Sequence, residues 1–230
     1  MQLRAVLFDV DFTLAKPGPD LGPEGYVKLG RKHGLELEPD SYLEARAGAV
    51  AQIERHPELR HDEEMWFAFT ELIVRGMGGD APAARDLAVE MTKLWELSEN
   101  FDLYDDALPV LEQLRGRGLK LGLVSNGGRE IADFVVHHAL EVDCAIASRA
   151  HGWIKPHESI FRAALELLEV DEGETVMVGD SVEDDIEGAA AVGMRGFLID
   201  REDRYPDRPD RLRNLWSLPA ALELDGPVEG

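Results

Sequence analysis

The chain reads as an α/β protein whose parallel sheet is interrupted, after its first strand, by an all-helical insertion. Three observations lead there. The apolar run Leu3–Phe8 opens the chain as a strand. From residue 101 onward, strand-length apolar runs alternate with helix-length stretches, the rhythm of a parallel sheet with right-handed crossovers. Between the two, from Gly25 to about Asn100, apolar residues recur only at helical spacing. The expected division is a core of residues 1–15 and 101–230 and a helical insertion of residues 16–100.

Each element has its own signal. Pro17, Gly18, Pro19, Gly22, Pro23 and Gly25 break regular structure after the first strand and mark a linker. Tyr26 and Leu29 begin the helical pattern, and Pro39-Asp40-Ser41 starts another helix carrying Leu43, Ala47, Val50 and Ile53. Met65, Trp66, Phe69, Leu72 and Ile73 form a further stripe, stopped by Gly76, Gly78 and Gly79. Ala83, Leu87, Met91, Leu94 and Trp95 form the next. Thereafter the pattern predicts helices over 107–117, 127–140, 156–168 and 184–192, and strands over 119–124, 144–148, 175–178 and 196–199. In the tail, Leu212, Leu215, Trp216, Leu218, Leu222 and Leu224 are expected to pack on the core.

The formal net charge of −22 over 230 residues excludes a basic face for nucleic acid and disfavours an anionic membrane surface. An anionic substrate would enter against this field, so it would need a local cation or metal. A single cysteine, Cys144 in an apolar run, excludes an intrachain disulfide framework and a multi-cysteine zinc site. The N-terminus has no signal-peptide pattern, and no run approaches the roughly 18 apolar residues of a membrane span. A reducing cytoplasm is the expected location.

Four polar clusters fall at comparable points of this architecture. Asp9 and Asp11 follow the first strand, Ser125-Asn126-Gly127-Gly128 follows the strand at 119–124, Lys155-Pro156 precedes a helix, and Gly179-Asp180-Ser181 with Asp184 and Asp185 follows the strand at 175–178. Each alone is ordinary: a solvated strand end, a turn, a helix start. Together they fall where strand carboxyl ends lie side by side, so they should converge in one crevice. Converged, they suggest phosphoryl transfer. Asp9 is positioned as a carboxylate nucleophile. Asp9, Asp11 through its backbone carbonyl, Asp180 and Asp185 offer hard oxygen ligands for Mg²⁺. Ser125 and the amides of Asn126 and Gly127, at the expected helix N-terminus, suit phosphate oxygens. Lys155 places positive charge on the phosphate and on Asp9, and Asp11 serves as general acid and then general base.

The strings DVDFTL at 9–14, SN at 125–126, KP at 155–156 and GDSVEDD at 179–185 resemble the four motifs of the haloacid dehalogenase superfamily. The stretch DDIEGAAAVG at 184–193 resembles the helix that follows the last motif. The resemblance implies a Rossmann-like core with a helical cap, Mg²⁺ as cofactor, and hydrolysis of a small phosphorylated metabolite through an aspartyl-phosphate. It implies nucleophile, acid/base, phosphate-binding, charge-stabilising and metal roles for Asp9, Asp11, Ser125, Lys155 and Asp180, with Asp185 supporting the metal. Two departures stand out. Phe12 occupies a position that is often Gly in this family. The last motif ends in adjacent acids, and Asp185 is favoured over Asp184 because an extra residue shifts the helix start. Dehalogenating members work without a metal and lack the second Asp, so Asp11 and Asp180 favour a phosphatase. A 2-haloacid dehalogenase-type hydrolase and a phosphosugar mutase are the alternatives. A phospho-accepting receiver is disfavoured because Gly179-Asp180-Ser181 follows Lys155 instead of preceding it.

Overall fold

The computed structural model describes residues 2–80 and 82–223. The chain divides into two compact units, residues 17–102 with 127–129, and the remainder.

The larger unit is built on a six-stranded sheet in the order β5-β4-β1-β6-β7-β8. Its strands are β1 (Ala5–Phe8), β4 (Lys120–Ser125), β5 (Cys144–Ala147), β6 (Thr175–Gly179), β7 (Arg195–Ile199) and β8 (Arg211–Leu212), and every pairing is parallel. A separate two-stranded sheet joins β2 (Ala15–Pro17) and β3 (Phe101–Leu103), the segments by which the chain leaves the larger unit and returns to it. β1 is apolar throughout because it is central and buried on both faces. Cys144 is buried within β5, and burial pushes its thiol up to about 11.

In this unit the helices are α5 (Ala107–Gly116), α6 (Ile131–His137), α7 (Ser148–His151), α8 (Glu158–Leu168), α9 (Gly188–Ala191) and α10 (Leu218–Ala221). α8 shows why they form. Ile160, Phe161, Ala164, Leu165 and Leu168 recur on one face and bury against Leu7, Val124 and Met177 of the sheet. Its start is capped by His157, whose Nδ1 accepts from the Ser159 amide at 3.2 Å.

The smaller unit carries α1 (Pro23–Lys32), α2 (Tyr42–Gln52), α3 (Glu63–Gly76) and α4 (Ala83–Trp95). Asp62 caps α3 by accepting from the Glu64 amide at 2.9 Å. Thr70 and Thr92 satisfy each other between α3 and α4 at 3.1 Å, so the buried polar pair costs little. Tyr26 is buried, with its ring centre 5.4 Å from that of Tyr42.

Several expectations need correction. β2, β3 and β8 have no counterpart in the sequence pattern. The helix expected over 127–140 spans only Ile131–His137, so Asn126 and Gly127 precede it in a bend and not at its N-terminus. In the tail, Leu215, Leu218 and Leu222 are buried as expected, Trp216 is exposed, and Leu224 lies outside the described residues. Among the described residues no helix is long and apolar enough to cross a membrane.

Candidate active site at the carboxyl edge of the sheet

The sheet register brings the polar clusters level. Phe8 of β1 is opposite both Leu123 of β4 and Val178 of β6, so Asp9, Ser125 and Asp180 emerge within two residues of one another along the same edge. The chain passes from β1 toward β4 on one side, whereas β6 leads to β7 on the other. Asp9 and Asp180 therefore flank the point where the strand order reverses, which is where open α/β sheets form a crevice.

A buried lysine organises the acids. Lys155 is 1% exposed, and its Nζ donates at 2.6 Å to Asp9 Oδ1 and at 2.6 Å to Asp185 Oδ1. Burial alone would push this lysine down, but Asp185 and Asp9 overcome that and hold it well above the usual lysine range. Ligand oxygens of Asp9, Asp180 and Asp185 lie within 4.8 Å of one another. Burial, reinforced by Asp9 and Asp185, pushes the Asp180 carboxyl up. Burial also pushes Asp185 up, to about 7, against the pull of Lys155. These acids are thus undercompensated by the lysine, and Asp9 Oδ2 is buried with no hydrogen-bond partner. An orphaned carboxylate oxygen beside two acids whose negative form is disfavoured is the donor set of a hard divalent cation, and Mg²⁺ fits it.

The backbone places Asp184 and Asp185 differently. Val182–Glu187 form a π-helical turn, with the Asp185 and Ile186 amides both donating to the Ser181 carbonyl, at 3.1 and 3.3 Å. In this wider turn Asp185, and not Asp184, joins Asp9 and Asp180 in the three-acid group. Gly179 leaves the room: a Cβ there would lie 2.2 Å from the Asp185 carboxyl carbon. The Ser181 amide donates to Asp185 Oδ2 at 3.0 Å, fixing the carboxylate.

The Asn126 side chain is engaged with the backbone of Lys155. Its Oδ1 accepts from the Lys155 amide at 2.7 Å, its Nδ2 donates to the Lys155 carbonyl at 3.1 Å, and Nδ2 also lies 3.5 Å from Asp184 Oδ2. The side chain therefore works as a backbone partner for the lysine. Ser125 ends β4 and is buried, while Gly127, two residues on, groups with the helical unit. Asp11 is half-buried in a tight turn in which the amides of Leu14 and Ala15 both donate to the Val10 carbonyl at 2.9 Å. Its carboxylate is not part of the three-acid group, in contrast to Asp9. Phe12 takes φ +66°, the left-handed region that costs a bulky residue about 1–2 kcal/mol. A glycine would adopt this conformation without that cost. Arg204, after β7, was not singled out from sequence; its Nη2 lies 3.5 Å from Asp180 Oδ2 and partly offsets that acid's charge. No motif or spacing announces it.

The sequence matches the family described as haloacid dehalogenase-like hydrolase over residues 3–193. Among curated proteins, the haloacid dehalogenase-like hydrolase domain-containing protein 3 of Bos taurus is 33% identical over 208 residues, covering 86% of this chain and 82% of its own. The glyceraldehyde 3-phosphate phosphatase of Methanopyrus kandleri is 32% identical over 242 residues, covering 99% of this chain and 95% of its own. Among solved structures, a HAD phosphatase from Thermococcus onnurineus superposes with a TM-score of 0.65 at 33% identity, covering 96% of this chain and 98% of its own. A parallel sheet with motif-bearing strand ends and a match over most of the chain lead to one conclusion: this protein is an enzyme of the haloacid dehalogenase-like hydrolase family.

Proposed function

We propose that the protein is a Mg²⁺-dependent phosphatase that hydrolyses a small phosphomonoester through an aspartyl-phosphate on Asp9. The observation that carries this reading is the Lys155 ammonium, bridging Asp9 and Asp185 beside an orphaned Asp9 oxygen. Asp9 Oδ1 is engaged by the lysine, and Oδ2 keeps its lone pairs. An Asp9 carboxylate oxygen attacks phosphorus, the bond from phosphorus to the ester oxygen breaks, and Asp11 gives its proton to the departing alkoxide. Asp11, now a carboxylate, takes a proton from the water that attacks the phosphoryl-aspartate, releasing phosphate and restoring Asp9. Lys155 neutralises charge on Asp9 and on the equatorial phosphate oxygens, and Ser125 with the following amides binds the phosphate. Asp9, the Asp11 carbonyl, Asp180 and Asp185 would hold Mg²⁺, which when bound neutralises the charge developing on the phosphoryl oxygens.

The choice of a small ester is supported by relatives named as glyceraldehyde 3-phosphate phosphatases. We assign the helical unit, inserted in the chain after the Asp11 turn, the role of a cap that sets specificity. A third acid, Asp180, in the cluster favours a metal-dependent phosphatase over a metal-independent dehalogenase. Asp9→Asn tests the reading: hydrolysis of p-nitrophenyl phosphate in Mg²⁺ falls by about a thousandfold or more while circular dichroism is unchanged. Activity retained within about tenfold removes Asp9 as nucleophile, and full turnover in EDTA with halide release from a 2-haloacid would replace the phosphatase by a dehalogenase.

A further inference from the structure

Two separate segments of the larger unit meet the guanidinium of a third. Arg201, two residues past β7, donates from Nη1 and Nη2 to the two carboxylate oxygens of Asp106, at 2.9 Å each. Nη2 also donates to the Thr13 carbonyl at 2.8 Å. The guanidinium carbon lies 3.6 Å from the centre of the Tyr104 ring. Asp106 is buried, and its Oδ2 accepts in addition from the Leu215 amide at 2.8 Å. The Tyr104 amide donates to the Leu14 carbonyl at 2.9 Å, so the same cluster grips the turn at a second point.

That turn carries Asp11. It holds Phe12 in a left-handed conformation, with the Phe12 amide donating to the Ala15 carbonyl at 2.6 Å. A bulky residue stays in that region only where its surroundings over-determine the backbone. Thr13 immediately follows Phe12, and its carbonyl is fixed from outside the turn by Arg201. A forked, planar donor stacked on a ring is well suited to this, since it can bind a carboxylate and a carbonyl in one fixed geometry.

We infer that Arg201, backed by Asp106 and Tyr104, is a positioning residue that holds the Asp11 turn in register for proton transfer to the leaving group. The inference rests on Asp11 being the general acid. It has a signature that a purely structural role lacks. An alkoxide leaving group needs a proton as it departs, whereas p-nitrophenolate is a stable anion and needs little help. A displaced acid therefore slows an alkyl phosphate selectively, whereas a general loosening of the fold slows both. kcat/KM reports steps only through leaving-group departure, so the later role of Asp11 as base does not enter.

The test compares kcat/KM for glycerol phosphate and p-nitrophenyl phosphate in the wild type, Asp11→Asn, Arg201→Gln, Arg201→Lys and the double variant Arg201→Gln/Asp106→Asn. Arg201→Gln alone leaves a buried Asp106 without its cation and can fail to fold. The double variant removes both charges together, and Arg201→Lys keeps the cation but loses the fork, so the question survives. The expected result is a fall of about a hundredfold for glycerol phosphate and at most about tenfold for p-nitrophenyl phosphate in the Arg201 variants that fold. A selective loss in Asp11→Asn with an even loss, or none, in the Arg201 variants overturns the positioning role alone. No selective loss in Asp11→Asn overturns the acid assignment, and the positioning role with it.

Discussion

A buried lysine and a half-buried arginine sit near the carboxyl edge of the sheet, and their surroundings differ in charge balance. Arg201 meets a single carboxylate, Asp106, so charge closes one to one. Lys155 meets two carboxylates at 2.6 Å with a third, Asp180, in the same group, so charge does not close. Both clusters pay for desolvation, and the second holds acids whose ionised form is disfavoured and a carboxylate oxygen without a donor. The first has the character of an anchor and the second that of a receptor for a further cation.

The largest expected effect comes from Lys155→Met. Without the ammonium, three acids face one another, and activity on p-nitrophenyl phosphate falls by about a hundred- to a thousandfold. Stability in EDTA falls by about 3–5 kcal/mol, and Mg²⁺ restores part of it, as read by urea unfolding with and without the metal. An unchanged response to Mg²⁺ would remove the contrast between the clusters. Asp106→Asn comes next. It strands the Arg201 charge and lowers stability by about 3 kcal/mol, by the same amount in EDTA and in Mg²⁺. A loss that Mg²⁺ repairs would show that the two clusters are one.

The smallest effect sharpens the receptor side. Burial raises Asp185 to about 7, above the value near 3.9 of an unfolded aspartate. In the metal-free protein this group therefore contributes stability below pH 4 that is lost as pH rises through about 7. On the proposed metal role of these carboxylates protons and Mg²⁺ would compete for the same oxygens, so the rise in Tm on adding Mg²⁺ is expected to be a few degrees larger at pH 8 than at pH 6. Calorimetry at the two pH values checks this, and an equal rise at both would mean that the cation does not use these carboxylates.

What the sequence made legible follows the same division. In the Lys155 cluster Asp9 and Asp180 directly follow apolar strands and Lys155 precedes a helix, so element pattern and local motif agree on their placement. The Arg201 cluster joins residues 13, 104, 106, 201 and 215 with no local pattern to mark them, and only the assembled sheet brings them together. β2, β3 and β8 are two or three residues each, too short for an alternation to register. The late start of α6 has a local cause, because Gly127-Gly128 weakens helix and a side chain on Gly128 would meet Glu96 at 2.7 Å. The choice of Asp185 was readable only as a suspicion of one extra residue, since a π turn has no sequence signature of its own.

The hydrogen bond between Tyr104 and Leu14 has a consequence for how such proteins diversify. It ties together the two points where the chain departs for the helical unit and comes back, and Gly18 and Asn100 are tied likewise at 2.8 Å. For the sheet, everything beyond those rungs is the tip of a hairpin. The entropy of closing such a tip rises only with the logarithm of its length, so a much longer or shorter excursion would burden folding by little more than about 1 kcal/mol. Insertions of different length can accordingly be accommodated at this junction while the sheet itself is inherited unaltered.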